Sequence, residues 1–250
     1  MRSARRCRRR CRRPSWQREG GTPQAPEAME RICEPELMED GEQARAYADT
    51  DFSAGDRAMV EALLERYGAA IGRRVLDLGC GPGNITFLLA ERCPGATVLG
   101  VDGSAAMLAI AEARRLDNDE RFASVRFREE LLPCPSLAGE RFSALVSNSL
   151  LHHLHDPSLL WSCVAALAAP RAVVFVRDLR RPRDDQALEE LVQRHAADLH
   201  RIVRSDYRNS LRAAFTPEEV RGQLAAAGLA ALTVTEIGEQ YLQVEGRLAG

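Results

Sequence analysis

At 250 residues, with 45% hydrophobic and 28% charged side chains, the chain has the make-up of one ordinary globular domain with appendages. No apolar run approaches the ~18 residues needed to cross a bilayer, which excludes a spanning helix. All 34 basic residues are arginine, nine of them within positions 1–28; the remainder holds 25 basic and 34 acidic residues, a net charge of −9 that gives no support to a nucleic-acid partner.

Residues 1–28 combine arginine clusters with Pro14, Pro23, Pro26 and a Gly20-Gly21 pair, and have no apolar period. Such a segment cannot bury enough surface to order itself, so it reads as a disordered extension ahead of Met29. A nucleic-acid arm, a targeting peptide and a membrane-surface tether are the functional alternatives; a secretory signal is excluded because its apolar stretch is missing. The seven cysteines (Cys7, Cys11, Cys33, Cys80, Cys93, Cys134 and Cys163) contain no C-x-x-C pair and no zinc spacing. Reduced thiols and a cytoplasmic location are expected.

From residue 55 helical and strand patterns alternate. Met59, Val60, Leu63, Leu64 and Tyr67 form one helical face. Residues 74–78 are a buried strand that stops at Gly79, 85–90 a helix, and 96–101 a second buried strand. A helix carrying Met107, Leu108, Ile110 and Ala111 follows, then strands at 125–127 and 144–147. Leu159, Leu160, Cys163, Val164 and Leu167 mark another helix, and 172–176 a fifth strand. This alternation implies right-handed crossovers and a doubly wound α/β sheet, mostly parallel and covered on both faces.

The last third has a different texture. Leu188, Leu191, Val192, His195, Leu199, Ile202 and Val203 predict one long amphipathic helix, followed by a loop with Tyr207 and Asn209. Thr216-Pro217-Glu218-Glu219 is a capping box with proline at the first helical position. Residues 232–237 and 241–244, separated by a turn containing Gly238, predict an antiparallel hairpin.

The chemistry concentrates in Asp77-Leu78-Gly79-Cys80-Gly81-Pro82-Gly83-Asn84, where a strand ends in an acid, bends through glycines at alternate positions and enters a helix. Glycine permits positive φ and close approach of backbone to a ligand, and the helix start aims free N–H groups into the same space. A dinucleotide needs G-x-G-x-x-G, and that register fails here because Asn84 or Thr86 stands where the third glycine belongs. Asp77 also suits a cationic ligand better than a pyrophosphate. Asp102, closing the second strand, can accept both hydroxyls of a ribose.

Asp-x-Gly-x-Gly-x-Gly after strand one, with Asp102 after strand two, resembles the class I S-adenosylmethionine (SAM)-dependent methyltransferases. The segment Val146-Ser147-Asn148-Ser149-Leu150-Leu151-His152-His153-Leu154 resembles their fourth-strand motif, and the terminal hairpin their antiparallel seventh strand. The likeness runs from about Asp51 to Val244. It implies a Rossmann-like, seven-stranded domain over 55–250, with the SAM-binding part in 74–178. The insertion 180–214, the least regular part of the domain, is where acceptor specificity is expected, and Tyr47 and Phe52 in the flank 29–54 are expected to act as a lid. The likeness further implies that Gly79, Cys80 and Gly81 line the methionine part of SAM, that Asp77 faces its ammonium through water, and that Asp102 holds its ribose. Gly103 and Met107 would flank the adenine, and Asn148 would lie beside the methionine moiety. The loop Arg128-Glu129-Glu130-Leu131 departs from the family in lacking its Gly-Asp pair, so main-chain groups near Glu130 and Leu131 are the substitutes to test.

His152, His153 and His155 with Asp156 do not complete a metal set, and no metal is expected. Candidate general bases are His153, Asp178, Tyr207 and His195, the last expected to pack instead. Arg177 and Asp178, at the end of strand five, would touch substrate or pair with each other. The resulting expectation is methyl transfer to a small-molecule acceptor. A protein acceptor, a non-catalytic SAM-binding partner protein and a nicotinamide-dependent reductase are the alternatives.

Overall fold

The computed structural model describes residues 29–34 and 37–250, so the expectation for residues 1–28 lies outside the described residues. The apolar runs become strands β1 (Arg74–Leu78), β2 (Thr97–Asp102), β3 (Val125–Glu129), β4 (Phe142–Asn148) and β5 (Ala168–Leu179), all parallel. The hairpin β6 (Thr233–Ile237) and β7 (Tyr241–Arg247) follows, with β7 antiparallel to both β5 and β6. The sheet has seven strands in the order β3-β2-β1-β4-β5-β7-β6. The chain thus winds outward from β1 to β3, then returns to place β4 on the other side of β1. That reversal opens a crevice at the carboxyl ends of β1 and β4, where open α/β sheets bind ligands.

Two apolar layers cover the sheet, sorted by the two-residue alternation of strands. Val75, Val98, Ala144, Val146, Val173 and Phe175 face a layer built from α2 (Ser53–Tyr67) and α3 (Asn84–Arg92). Leu76, Leu78, Leu145, Val174 and Val176 face the other, with α5 (Ser158–Leu167) and α8 (Pro217–Ala226). The fully buried Trp161 of α5 finds the partner that its indole N–H requires in the Gln223 side chain of α8, at 3.0 Å. The expected capping box starts α8: Thr216 accepts from the Glu219 amide, and the Glu219 carboxylate accepts from Thr216 N–H. On the β2 side, α4 (Ala105–Leu116) is capped by Ser104. Ahead of the sheet, α1 (Gly41–Ala48) touches α4 and a later helix, α7 (Arg201–Ala213), so it lies across the mouth of the crevice. Among the described residues no helix is long and apolar enough to cross a membrane.

Three expectations need correction. The single helix from Leu188 to Val203 is two, α6 (Asp185–Ala196) and α7 (Arg201–Ala213). His200 caps the second, its ring accepting from Ile202 N–H at 3.4 Å. The apolar period runs through the break because both helices lay Leu188, Leu191, Val192 and Leu211 on one small core. Tyr207 and Asn209 are therefore helical, and the segment 180–214 is regular. Finally, β4 and β5 extend past the apolar runs that announced them, through Asn148 and Leu179, because polar residues at strand ends find partners there.

Candidate active site

The crevice holds a cavity of about 860 Å³ lined by the glycine loop, Asp77, Asp102, Asn148, His153, Arg177, Tyr207 and Tyr241 among others. Its floor is the turn after β1. Gly79 and Cys80 both donate to the Val101 carbonyl, at 2.8 and 3.0 Å, which ties the loop to β2. Gly79 has φ of 69°, and a Cβ there would stand 2.7 Å from Leu150. Gly81 has φ of 51°, but a Cβ there would meet nothing within 4 Å. The first glycine is needed for packing; the second keeps open space beside a left-handed backbone.

Asp102 is braced from both sides. One carboxylate oxygen accepts from Gly81 N–H and the other from Ser104 N–H, each at 2.8 Å. A carboxylate offers about four acceptor positions, so one on each oxygen is left for a diol. Burial pushes its pKa up, against the pull of the Ser104 and Gly81 amides. Gly103 and the buried Met107 line the same end, where a Cβ on Gly103 would strike Leu131 and Leu37 at 2.7 and 2.8 Å. That end is a narrow slot suited to a flat ring. Glu130 N–H is donated to the Asp102 carbonyl at 2.9 Å, so of the two main-chain substitutes expected there, Glu130 is already committed.

Asp77 is 1% exposed, accepts from the Thr86 hydroxyl at 2.6 Å and joins no ion pair among the described residues. Burial is the main cause that pushes its carboxyl from 3.8 to about 7. A folded pKa above the unfolded one favours folding most below pH 3.8, and that advantage is lost as pH rises through about 7. Asp77→Asn should therefore melt higher than the parent protein near pH 8 and approach it near pH 4, while binding a cationic ligand more weakly. A thermal-melt series across pH checks the first part. Equal melting at both pH values would show that the carboxyl is not strained by burial.

Comparison with known proteins agrees with this geometry. A methyltransferase-domain family matches residues 76–174. Trans-aconitate 2-methyltransferase of Delftia acidovorans is 36% identical over 142 residues, covering 56% of this chain and 50% of that protein. A ubiquinone biosynthesis O-methyltransferase of Pseudomonas fluorescens is 33% identical over 113 residues, covering 44% and 46%. The match spans about half the length of these curated relatives. In fold, the chain is similar to the plantazolicin methyltransferase BpumL, solved with a monoazolic analog and S-adenosylhomocysteine, with a TM-score of 0.67 at 11% identity over 84% of this chain and 90% of that one. A putative SAM-dependent methyltransferase of Methanococcus maripaludis gives 0.66 at 14% identity, over 88% and 98%. Residues 76–174 match a methyltransferase domain.

Around the cavity, the remaining expected residues fall into distinct groups. Cys80 is buried with its thiol 3.8 Å from the Gly81 carbonyl, and burial pushes its pKa up. Asn148 ends β4, half-buried, in register with Arg177. Arg177 and Asp178 do not pair with each other, because consecutive strand residues point to opposite faces. Arg177 donates to the Gln243 side chain at 2.7 Å. Asp178, 1% exposed, accepts from Leu151 N–H at 2.7 Å and lies 2.7 Å from His152 Nδ1. Asp178 thus pins the turn after β4 and is not available as a base toward substrate. Tyr207 donates to the Gln240 side chain, and burial pushes its phenol above the usual range, which makes it a poor base. His195 lines the rim of the cavity, exposed and 3.9 Å from Glu239, so it does not pack.

The histidines have a partner that the spacing did not reveal. Glu34, from the flank, reaches within 3.6 Å of His152 Nε2 and 3.3 Å of His153 Nδ1, and accepts from the Ser210 hydroxyl at 2.9 Å. These three residues could together face one metal ion. Burial disfavours charge on His152, but Asp178 and Glu34 outweigh it and raise the imidazole pKa. The two carboxylates on either side of His152, Asp178 and Glu34, are what favour its charged form. Glu34, Asp56, Tyr241 and Gln243 are the site residues that sequence reasoning missed; Asp56, Tyr241 and Gln243 fall inside recognisable elements, and Glu34 does not.

Proposed function

We propose that this protein transfers the methyl group of SAM to a small organic acceptor. The observation that carries this reading is the pairing of a buried carboxylate, Asp77, with a half-buried one, Asp102, on adjacent strands of one cavity, with the Cβ-free edge of Gly81 open between them. The residues fit the donor: a desolvated carboxylate for its ammonium, a braced one for its ribose, and a slot beside Gly103 and Met107 for its adenine. Gly79, Cys80 and Gly81 would line the methionine part, with Asn148 beside it. When bound, SAM supplies a methyl on a sulfonium; the acceptor's lone pair bonds to that carbon while the carbon–sulfur pair stays on sulfur.

The residues of this chain align and shield. Positioning alone lowers the barrier of such a displacement substantially, and only an acceptor holding a proton needs a base. Of the sequence candidates His153, at the cavity wall beside Glu34, and His195, on the same lining, remain. A small acceptor is supported by the covering of the cavity by the flank residues 37–54, whose Tyr47 and Phe52 rings lie 4.9 Å apart over it. The relatives named for trans-aconitate and ubiquinone biosynthesis support the same size class. A cytoplasmic site of action and the absence of a nucleic-acid partner belong to the proposal. They are supported by free Cys33, Cys80, Cys93, Cys134 and Cys163 and by the acidic balance of the domain.

Calorimetric titration with S-adenosylhomocysteine and, separately, NADPH tests the donor. Binding of the first and not the second is expected; binding of NADPH alone would overturn the reading. Tyr47→Ala should weaken S-adenosylhomocysteine by about tenfold, as expected for loss of a buried aromatic contact. An unchanged affinity would remove the lid role.

A further inference from the structure

We infer that Arg177 is a receptor for a carboxylate of the acceptor, so that the substrate class is an organic acid. This rests on the methyl-transfer reading and deepens it. Arg177 is 8% exposed and lines the cavity, yet joins no ion pair among the described residues. Its one side-chain hydrogen bond is to the neutral amide of Gln243, and its buried Nε has no partner. Arginine stays charged in proteins and presents five donors in a fixed fork. A desolvated, unpaired charge costs several kcal/mol unless an anion meets it.

The surroundings hold that fork in place without neutralising it. Gln243 on β7 is itself tied to Glu245 at 3.3 Å, and Glu245 is engaged by Arg66 of α2 at 3.0 Å. The nearest carboxylate along this chain of contacts is thus committed to another arginine. The carboxylates that do line the cavity have other placements. Asp77 and Asp102 belong to the donor end, Asp56 accepts from Asn84, Asp206 from Gln43, Asp51 from Ser53 N–H and Glu130 from Ser136 N–H. Glu239, in the hairpin turn, pairs with Arg194. Arg177 is the single arginine among the described residues lining the cavity. A planar carboxylate is the ligand whose geometry matches a guanidinium with free donors.

The placement suits an acceptor. Arg177 is in register with Asn148 on β4, the strand next to β1. It therefore stands two strand spacings, about 10 Å, from the glycine strand. An acid a few carbons long can seat one carboxylate on Arg177 and reach the donor with another group. The donor also has a carboxylate, so the experiment must separate the two sources.

The protein, saturated with S-adenosylhomocysteine, is titrated with trans-aconitate, fumarate and 4-hydroxybenzoate, and with the amide of each. At least one acid should bind about tenfold more tightly than its amide, the difference expected for a charge-assisted hydrogen-bonded pair. Arg177→Met should abolish that preference and leave S-adenosylhomocysteine affinity within about threefold, with Arg177→Lys intermediate. Acids that bind no better than their amides would overturn the inference, and this arm needs no variant to fold. So would an Arg177→Met protein that loses S-adenosylhomocysteine instead, which would assign Arg177 to the donor's carboxylate. Failure of the parent protein to bind S-adenosylhomocysteine at all would instead sink the methyl-transfer reading.

Discussion

Asp102→Ala should lower S-adenosylhomocysteine affinity about 100-fold or more while leaving a folded protein. Hydrogen bonds to a charged group contribute about 1.5–3 kcal/mol each, and two ribose hydroxyls would lose theirs together. Even the low end gives about 3 kcal/mol, somewhat more than two decades in Kd. The substitution also leaves Gly81 N–H and Ser104 N–H without the acceptor they share, so part of the loss would come from a loosened loop. Asp102→Asn separates the two effects. Its amide oxygen keeps one backbone acceptor and the volume of the side chain, but removes the charge and one acceptor oxygen. Titration calorimetry with a thermal melt as control reads both. Binding within threefold of the parent in Asp102→Ala would show that the ribose lies elsewhere.

Gly81→Leu is expected to remove detectable donor binding, a loss of about 100-fold or more, because the new side chain occupies the space where the methionine part would lie. The position has φ of 51°, so a non-glycine residue is strained there by about 1–2 kcal/mol. That is small enough for the fold to survive, since a Cβ at Gly81 meets no protein atom within 4 Å. Gly79→Ala provides the contrast. Its Cβ would stand 2.7 Å from Leu150, so it should lower the melting temperature more than Gly81→Leu despite being the smaller change. A Gly81→Leu protein that still bound S-adenosylhomocysteine normally would sink the claim that the donor passes over this turn.

The donor half of the site was legible in the sequence because it is built from local signals. Asp77, the glycines and the start of α3 are contiguous, and Asp102 ends the next strand with its own capping serine beside it. The acceptor half was not. Ending the fifth strand at Val176 left Asp178 looking substrate-facing; the ladder continues to Leu179, and its alternation turns Asp178 toward His152 and away from the cavity. The break between α6 and α7 was hidden because an unbroken apolar period is what two helices on one core also produce. Glu34 reaches His152 and His153 from a flank with no pattern of its own. Arg177 gained its meaning only from what it fails to meet, and no spacing rule reports an absent partner.

The antiparallel wedge of β7 between β5 and β6 also bears on how the molecule assembles. Gly81 meets Asp102 across 21 positions of chain, whereas Arg177 meets Gln243 across 66. Closing the longer loop costs about 1 kcal/mol more in entropy at equal stiffness. The contacts at the glycine turn are therefore cheap to close, whereas the wall at Arg177 depends on the last strand, β7, inserting between β5 and β6 near the sheet's edge.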